Sequence, residues 1–552
     1  MPQLESYNEY QEKPEEDIIQ STIGNFGRWQ FKISTLMALL KFPIAWFQMS
    51  IVFLAPPTQF WCKSELSINS TNGWLKMIQN NHSLLRHEGL NTGFCQSLNS
   101  ENDTVKFCAN GYQYNTTIFH TSIITEWDLV CDNKRLVDVS QITLMLGVLI
   151  GNIFFGIFAD RQGRKKTLLI CIVLQSLFGI AASRIPWYWG FIGMRFLLAV
   201  ANGGTIVTSF VMCMEVVGGT WRSIVPILYQ IPYGFGNSIM AGLAYLYREW
   251  RDLHLALSLL SSFYIVYLWF VPESPRWLLA TGNKKEAIDI LQNAAKCNGM
   301  DTEKVQVVVN GLAPDLKNEN KATLSALFAT RELARRNVLL YINWLIAGVT
   351  FYAFSQYVGK VGSNLYFTAA ISGFVAFPGT LLCVCIIRRF GRRLTIASAH
   401  ILTAICFFGI LAVPAGVYNQ DWPRVVLAGV GIVGLSISMP ALYLFTGELF
   451  PTTVRNAGVG TSVMFSRMGS MIAPMVITMQ DISPSLPLIV LGVAALVETA
   501  LILFLPETKG MPLPETIQDL EFKNDKIDER KEANRCYISL PTILKDTSLE
   551  IR

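Results

Sequence analysis

The chain has little charge and little histidine for its length. Asp, Glu, Lys and Arg together make up 15% of 552 residues, and there are five His. With 51% apolar residues and 12% aromatics, few side chains remain to cover the surface of a soluble multidomain enzyme, and the profile points to a membrane protein instead. A net charge of +5 is too weak to suggest nucleic acid, because the basic residues fall in short clusters between apolar blocks rather than along one face. No G-x-x-x-x-G-K-[ST] loop is present, so a nucleotide-driven pump is disfavoured. His82, His87, His120, His254 and His400 are scattered without ligand spacing, so neither a metal nor another cofactor is expected, and no nucleophile–base cluster suggests an enzyme. No filter-like pore loop repeats along the chain, as a channel would require. The opening "MPQLESYNEYQEKPEED" lacks a basic region followed by an apolar core, so no cleavable signal peptide is expected and the first span serves as the membrane signal.

What is present is a series of long apolar runs. A hydrocarbon core about 30 Å thick takes roughly 20 apolar residues per helix. On that measure the spans are 31–55, 138–158, 167–185, 188–212, 223–246 and 252–271, then 338–357, 364–387, 395–415, 424–446, 457–479 and 486–505. The expected architecture is all-α, with two six-helix halves at 31–271 and 338–505. A segment at 1–30, a central loop at 272–337 and a charged tail at 506–552 complete the chain. "GNKKEAIDILQNAAK" (282–296) and "TLSALFATRELARRN" (323–337) read as short amphipathic helices of the central loop.

The basic clusters "DRQGRKK" (160–166) and "RRFGRR" (388–393) belong on the cytoplasmic side, and an even number of spans then places both termini there. The loop at 56–137 falls outside. It holds all four Asn-x-Ser/Thr sites, at Asn69, Asn81, Asn102 and Asn115, as an outer loop would. It also holds Cys62, Cys95, Cys108 and Cys131, which in an oxidising compartment form two disulfides by one of three pairings.

The halves echo each other. Gly163 and Gly391 are 228 residues apart (391 − 163), Glu215 and Glu448 are 233 apart (448 − 215), and "PESP" and "PETK" are 234 apart (506 − 272). Three matched features in one order argue for duplication, with the halves related by an axis along the membrane normal. Asp160, Arg161 and Arg164 sit at a helix end, where they can pair with a neighbouring helix or its dipole. Glu215 lies seven residues before Arg222, and Glu448 seven before Arg455. Pairing of Glu215 with Arg222 and of Glu448 with Arg455 is expected to gate the cytoplasmic mouth. The alternative for the basic clusters is topogenic charge alone.

"GIFADRQGRKK", "MRFLLAVANGG", "PESPRWLL", "GELFPTTVRN" and "LPETKG" resemble the major facilitator superfamily, and within it the organic cation/anion/carnitine transporters of solute carrier family 22, in the manner of invertebrate-type members. The resemblance covers nearly the whole chain. It implies the major facilitator fold, the plasma membrane, and a uniporter or exchanger of small organic ions working by alternating access. Two departures stand out. The family's outer loop often has six cysteines where this one has four, and Arg388 replaces the acidic residue usual at the start of the second-half loop motif.

Arg467 lies near the middle of an apolar run. A charge there costs about 2.5–3.5 kcal/mol on insertion scales. By resemblance this position is acidic in cation carriers and Arg in anion and carnitine carriers, so a substrate carboxylate is its expected partner. An internal salt bridge to Glu498 is the alternative. Lys41, beside Pro43, either adds positive potential to the cavity or snorkels to the inner face. A second basic residue common in the eighth span of anion carriers corresponds to Thr380 here, which favours a monocarboxylate or zwitterion over a dianion. Gln48, Tyr233, Phe351, Tyr352 and Tyr443 match family positions that face the cavity, and their aromatic faces suit an amine. The sequence therefore leads to a carrier of carboxylate-bearing anions or zwitterions such as carnitine- or β-alanine-like molecules. A polyspecific cation carrier and a sensor that binds without transporting are the alternatives.

Overall fold

The computed structural model describes residues 18–63, 95–98, 105–108, 111–219, 221–311, 324–359, 361, 364–451 and 454–510. Asn69, Asn81 and Asn102 lie outside these residues. Among the described residues, eleven helices are long and apolar enough to cross a membrane. In the first half they are Arg28–Leu54, Cys131–Gln162, Arg164–Arg184, Tyr188–Val216 and Trp250–Phe270, the first to fourth and the sixth crossings. The seventh to twelfth are Arg331–Val358, Leu365–Phe390, Arg392–Ala412, Trp422–Leu449, Ala457–Asp481 and Leu486–Leu503. Large apolar side chains face outward along them, among them Phe154, Leu177, Phe374 and Ile405, each more than half exposed, as a lipid solvent requires.

The fifth crossing is not one helix. It divides into Trp221–Leu228 and Ile231–Leu246, because Pro226 and Pro232 each remove a backbone donor around the junction. Gln230 N and Tyr233 N turn to three-residue hydrogen bonds there, at 3.1 Å each. Proline also shapes the first crossing. Pro43 leaves the Leu39 carbonyl without its helical donor, and the Tyr264 hydroxyl of the sixth crossing donates to it at 3.0 Å.

The seventh helix corrects the sequence boundary at 337. It begins at Arg331, where the Thr330 hydroxyl caps Leu333 N at 3.3 Å, so "RELARRN" is its first two turns rather than a separate surface helix. Arg336 pairs with Glu332 at 2.9 Å one turn back, which carries the helix beyond its apolar stretch. The other described residues of the central segment include helices Pro275–Ala280, Lys284–Asn298 and Thr302–Asn310 and a 3-10 turn at Leu324–Phe328. Asn298 bonds Trp29 N at 3.0 Å and the Ile23 carbonyl at 2.9 Å, so this segment shares one end of the bundle with the N-terminal segment.

At that end the repeat is visible atom by atom. Gly163 and Gly391 take φ of 97° and 92°, a left-handed turn between helices that an L side chain resists. After each turn a Glu caps the next helix: Glu273 accepts from Arg164 N at 2.8 Å, and Glu507 from Arg392 N at 2.9 Å. The same two arginines reach sideways, Arg164 to Glu215 at 2.9 Å and Arg392 to Glu448 at 2.8 Å. The offsets 392 − 164 = 228, 448 − 215 = 233 and 507 − 273 = 234 match those of the sequence echo. A Cβ at Gly163 would meet Glu273 Oε2 at 2.5 Å. Gly163→Ala is therefore expected to cost about 1–2 kcal/mol for the backbone alone and to displace the Glu273 cap, lowering the thermal transition of the purified protein. An unchanged transition would remove this role for the turn.

The opposite end carries the loop between the first two crossings. Its described part contains two ribbons, Phe60–Cys62 with Tyr112–Tyr114 and Gln96–Leu98 with Val105–Phe107. Disulfides join Cys62 to Cys108 and Cys95 to Cys131. Asn115 follows the first ribbon, and its side chain accepts from the Thr117 hydroxyl at 2.8 Å.

Candidate functional site

A cavity lies between the halves. Lys41, Gln48, Tyr233, Phe351, Tyr352, Tyr443 and Arg467 all line it, together with Thr380. Two features bring Arg467 there. The seventh and eleventh crossings touch backbone to backbone: a Cβ at Gly348 would stand 2.1 Å from Ser466 O, and one at Gly469 would stand 1.9 Å from Leu345 O. With no room for a side chain between the helices, Arg467, next to Ser466, is turned off this seam and into the cavity. Tyr352, one turn beyond Gly348, then meets it: the Arg467 guanidinium donates to the Tyr352 hydroxyl and sits 5.8 Å from the ring centroid.

Aromatic rings form the walls. Phe351 lies 5.2 Å from Tyr352 and 6.2 Å from Tyr233, while Tyr443 meets Trp344 edge-on at 4.6 Å. Lys41 is buried, with its ammonium 4.6 Å from the Tyr229 ring centroid. It lines the cavity and does not snorkel out of the bundle.

Among the described residues, none that lines the cavity is acidic. The salt bridge between Arg467 and Glu498 raised by the sequence is absent. Glu498 is fully buried inside the second half, with His400 Nδ1 2.7 Å away and the Thr350 hydroxyl at 3.3 Å. Its carboxylate is thus committed to the ninth and seventh crossings.

The structure also redistributes the pairings expected of the residues at the basic-cluster end. Glu215 binds Arg164, which also meets Asp160 at 3.0 Å, while Arg222 Nε donates to the Val217 carbonyl at 3.0 Å. Glu448 binds Arg392 at 2.8 Å and accepts from the Thr508 hydroxyl at 2.6 Å, while Arg455 donates to the Phe450 carbonyl at 3.4 Å. The expected Glu215–Arg222 and Glu448–Arg455 pairs are therefore replaced. The arginine after each loop glycine is already aimed at the glutamate by the left-handed turn. The later arginines instead close the chain onto the carbonyl five residues before them. Arg161 is exposed.

One set of contacts between the halves lies at the loop end. Lys134 and Asp481 pair at 2.6 Å, and the Thr478 hydroxyl donates to Asp138 at 2.8 Å, joining the second crossing to the eleventh. Gly234 and Gly373 bring the fifth and eighth crossings close as well, a Cβ at Gly373 standing 2.4 Å from Gly234 O, with Ser238 donating to the Ala370 carbonyl at 2.7 Å.

Sequence reasoning passed over several buried polar groups. Arg195 donates to Gln141 at 3.2 Å, and Gln141 in turn donates to the Gln48 carbonyl at 3.1 Å, while Gln175 accepts from Asn202 at 2.9 Å. The available signal was the one that exposed Arg467, a polar residue in an apolar run.

A family model described as "Sugar (and other) transporter" matches residues 84–520. The chain is 31% identical to the "Organic cation transporter protein" of Drosophila melanogaster, over 92% of this chain and 94% of the relative. It is 32% identical to "Solute carrier family 22 member 3" of Mus musculus, over 90% and 94% of the two chains. The chain belongs to solute carrier family 22. This is a family of organic ion transporters within the major facilitator superfamily, so the protein is a multi-pass membrane transporter and not an enzyme. It is also 32% identical to "Organic anion transporter 3" of Homo sapiens, over 91% and 93%. Its fold resembles the xylose transporter XylE of E. coli in a partially occluded inward open conformation, with a TM-score of 0.60 at 16% identity over 88% and 100% of the chains.

Proposed function

We propose that this family member carries small carboxylate-bearing organic anions, including zwitterions, by alternating access. The observation that carries the reading is Arg467 in a cavity with Lys41 and no acidic lining residue. A buried guanidinium without a carboxylate partner is costly, and a carboxylate ligand offsets that cost through paired charge-assisted hydrogen bonds. A substrate amine would rest on the faces of Phe351, Tyr352 and Tyr443. The names of the matched relatives include both cation and anion transporters, so the substrate class is argued from the cavity.

The loop end is read as extracellular and the clasped end as cytoplasmic, on the strength of the glycosylation sites and the basic clusters. Both termini then lie inside, at the plasma membrane.

The test is uptake by expressing cells of a labelled panel containing monocarboxylates, β-amino acids, carnitine and permanent cations. Accumulation of carboxylate-bearing compounds and exclusion of bare cations is expected. Uptake of bare cations alone would favour the cation carrier, and binding without uptake of any compound would favour the sensor.

A further inference from the structure

We propose that Asn202 and Gln175 are positioning residues for the carboxylate site. They fix the amide of Gln48, which holds Tyr352 against Arg467, and the arriving carboxylate opens this chain where it crosses between the halves. The proposal rests on Arg467 as the carboxylate anchor.

The chain of hydrogen bonds is continuous. Arg467 donates to the Tyr352 hydroxyl, and that hydroxyl donates to Gln48 Oε1 at 2.7 Å. Gln48 Nε2 donates to Asn202 Oδ1 at 3.1 Å, Asn202 Nδ2 to Gln175 Oε1 at 2.9 Å, and Gln175 Nε2 to the Ser261 hydroxyl at 2.7 Å. It therefore runs from the eleventh crossing through the seventh, first, fourth and third to the sixth.

Its direction is fixed by the cation. A guanidinium has five N–H groups and no acceptor, so the Tyr352 oxygen must accept and its single proton must go onward. Gln48 then presents its oxygen to Tyr352 and its NH2 to Asn202, and the same logic passes to Gln175. Each amide has one usable orientation, and turning any of them sets donor against donor. A second amide holds Gln48 from behind: Gln141 Nε2 donates to the Gln48 carbonyl at 3.1 Å, while Gln141 Oε1 accepts from Arg195 at 3.2 Å.

Gln48, Asn202, Gln175 and Ser261 are all buried, with at most 1% exposure. At membrane depth, water is not at hand to replace a lost partner, so the orientation of one amide is felt by the next.

Only the Tyr352–Gln48 bond in this chain joins the two halves. A substrate carboxylate is the stronger acceptor for both donors at the crossing point, the Arg467 N–H and the Tyr352 O–H. Binding therefore draws the tyrosine proton away from Gln48 and releases the first half from the second at the cavity. Asn202 and Gln175 touch no substrate. They determine where Gln48, and through it Tyr352, waits.

The experiment is a double-mutant cycle on the full-length carrier, with initial uptake rates of a carboxylate substrate corrected for surface protein. Asn202→Leu and Tyr352→Phe are each expected to raise KM about five- to tenfold with less than a twofold change in maximal rate per carrier. The double variant is expected to be no worse than the poorer single. Gln175→Met is expected to behave as Asn202→Leu does and to show the same coupling to Tyr352→Phe, which keeps the test open should the Asn202 variant fail to reach the surface. KM effects that simply multiply would overturn the relay, since independent packing defects behave that way. An Arg467→Ala variant with unaltered carboxylate KM would instead remove the anchor, and the proposal with it. Multiplying effects in a carrier that does need Arg467 would remove the relay alone.

Discussion

Arg467→Asp is expected to abolish uptake of carboxylate substrates while the protein still reaches the cell surface. The wild-type cavity offers a planar guanidinium, a lysine and no acidic group. Losing a pair of hydrogen bonds to a charged partner costs roughly 3 kcal/mol or more, or over a hundredfold in affinity. The substitution also places a carboxylate where the substrate's own must sit, and Lys41 alone cannot outweigh it at that position. Arg467→Lys keeps the charge but loses the fork, and is expected to retain weak uptake with a raised KM. Carboxylate uptake at the wild-type level in a surface-expressed Arg467→Asp carrier would overturn the assignment of this residue.

Cross-linking the loop end is expected to stop transport altogether. Lys134 and Asp481 belong to different halves and meet at 2.6 Å, so cysteines placed there are within reach of a short bifunctional thiol reagent. Alternating access requires that contact to open once in each cycle. A membrane-impermeant reagent added to intact cells should therefore abolish uptake in the double-cysteine variant and leave each single variant active. The same experiment tests the orientation, because an impermeant reagent reaches these positions only if the loop end faces outward. Undiminished uptake in fully cross-linked protein would mean that the halves do not part there. The native ion pair is more than a third exposed on each side, so its own loss is worth little by comparison, about 0–1 kcal/mol.

Much of the fold was legible because lipid imposes a simple rule on the chain. Each crossing needs an apolar run of known length, and eleven of the twelve expected runs are helical stretches long enough to cross a membrane. The fifth was legible as a run and not as a broken helix, although Pro226 and Pro232 were in view, because hydropathy counts side chains and a missing donor belongs to the backbone. The start of the seventh helix was misplaced for the opposite reason. "RELARRN" is polar, and a helix that projects beyond the lipid by pairing Glu332 with Arg336 has no apolar signature.

The site divides in the same way. Arg467 stood out as a charge with no reason to be where it was, and the seven positions chosen from sequence fall on one cavity. The pairings were harder to read. Spacing of seven residues suggested Glu215 with Arg222, whereas the partner of Glu215 is Arg164, 51 residues away (215 − 164). Nearness along a chain is a poor guide where a helix hairpin brings distant ends together. Asn202 gave no signal of its role, because a lone amide in a helix gives no hint of the two amides it joins.

The backbone seam at Gly348 and Gly469 bears on how cargo travels. It binds the helix carrying Tyr352 to the helix carrying Arg467 so closely that the two must move as one piece. On the proposed reading, the residue that meets the cargo's carboxylate is thus a passenger of the second half throughout the cycle. The first half supplies a wall that passes by it, and the cargo is ferried with one half rather than handed from one to the other.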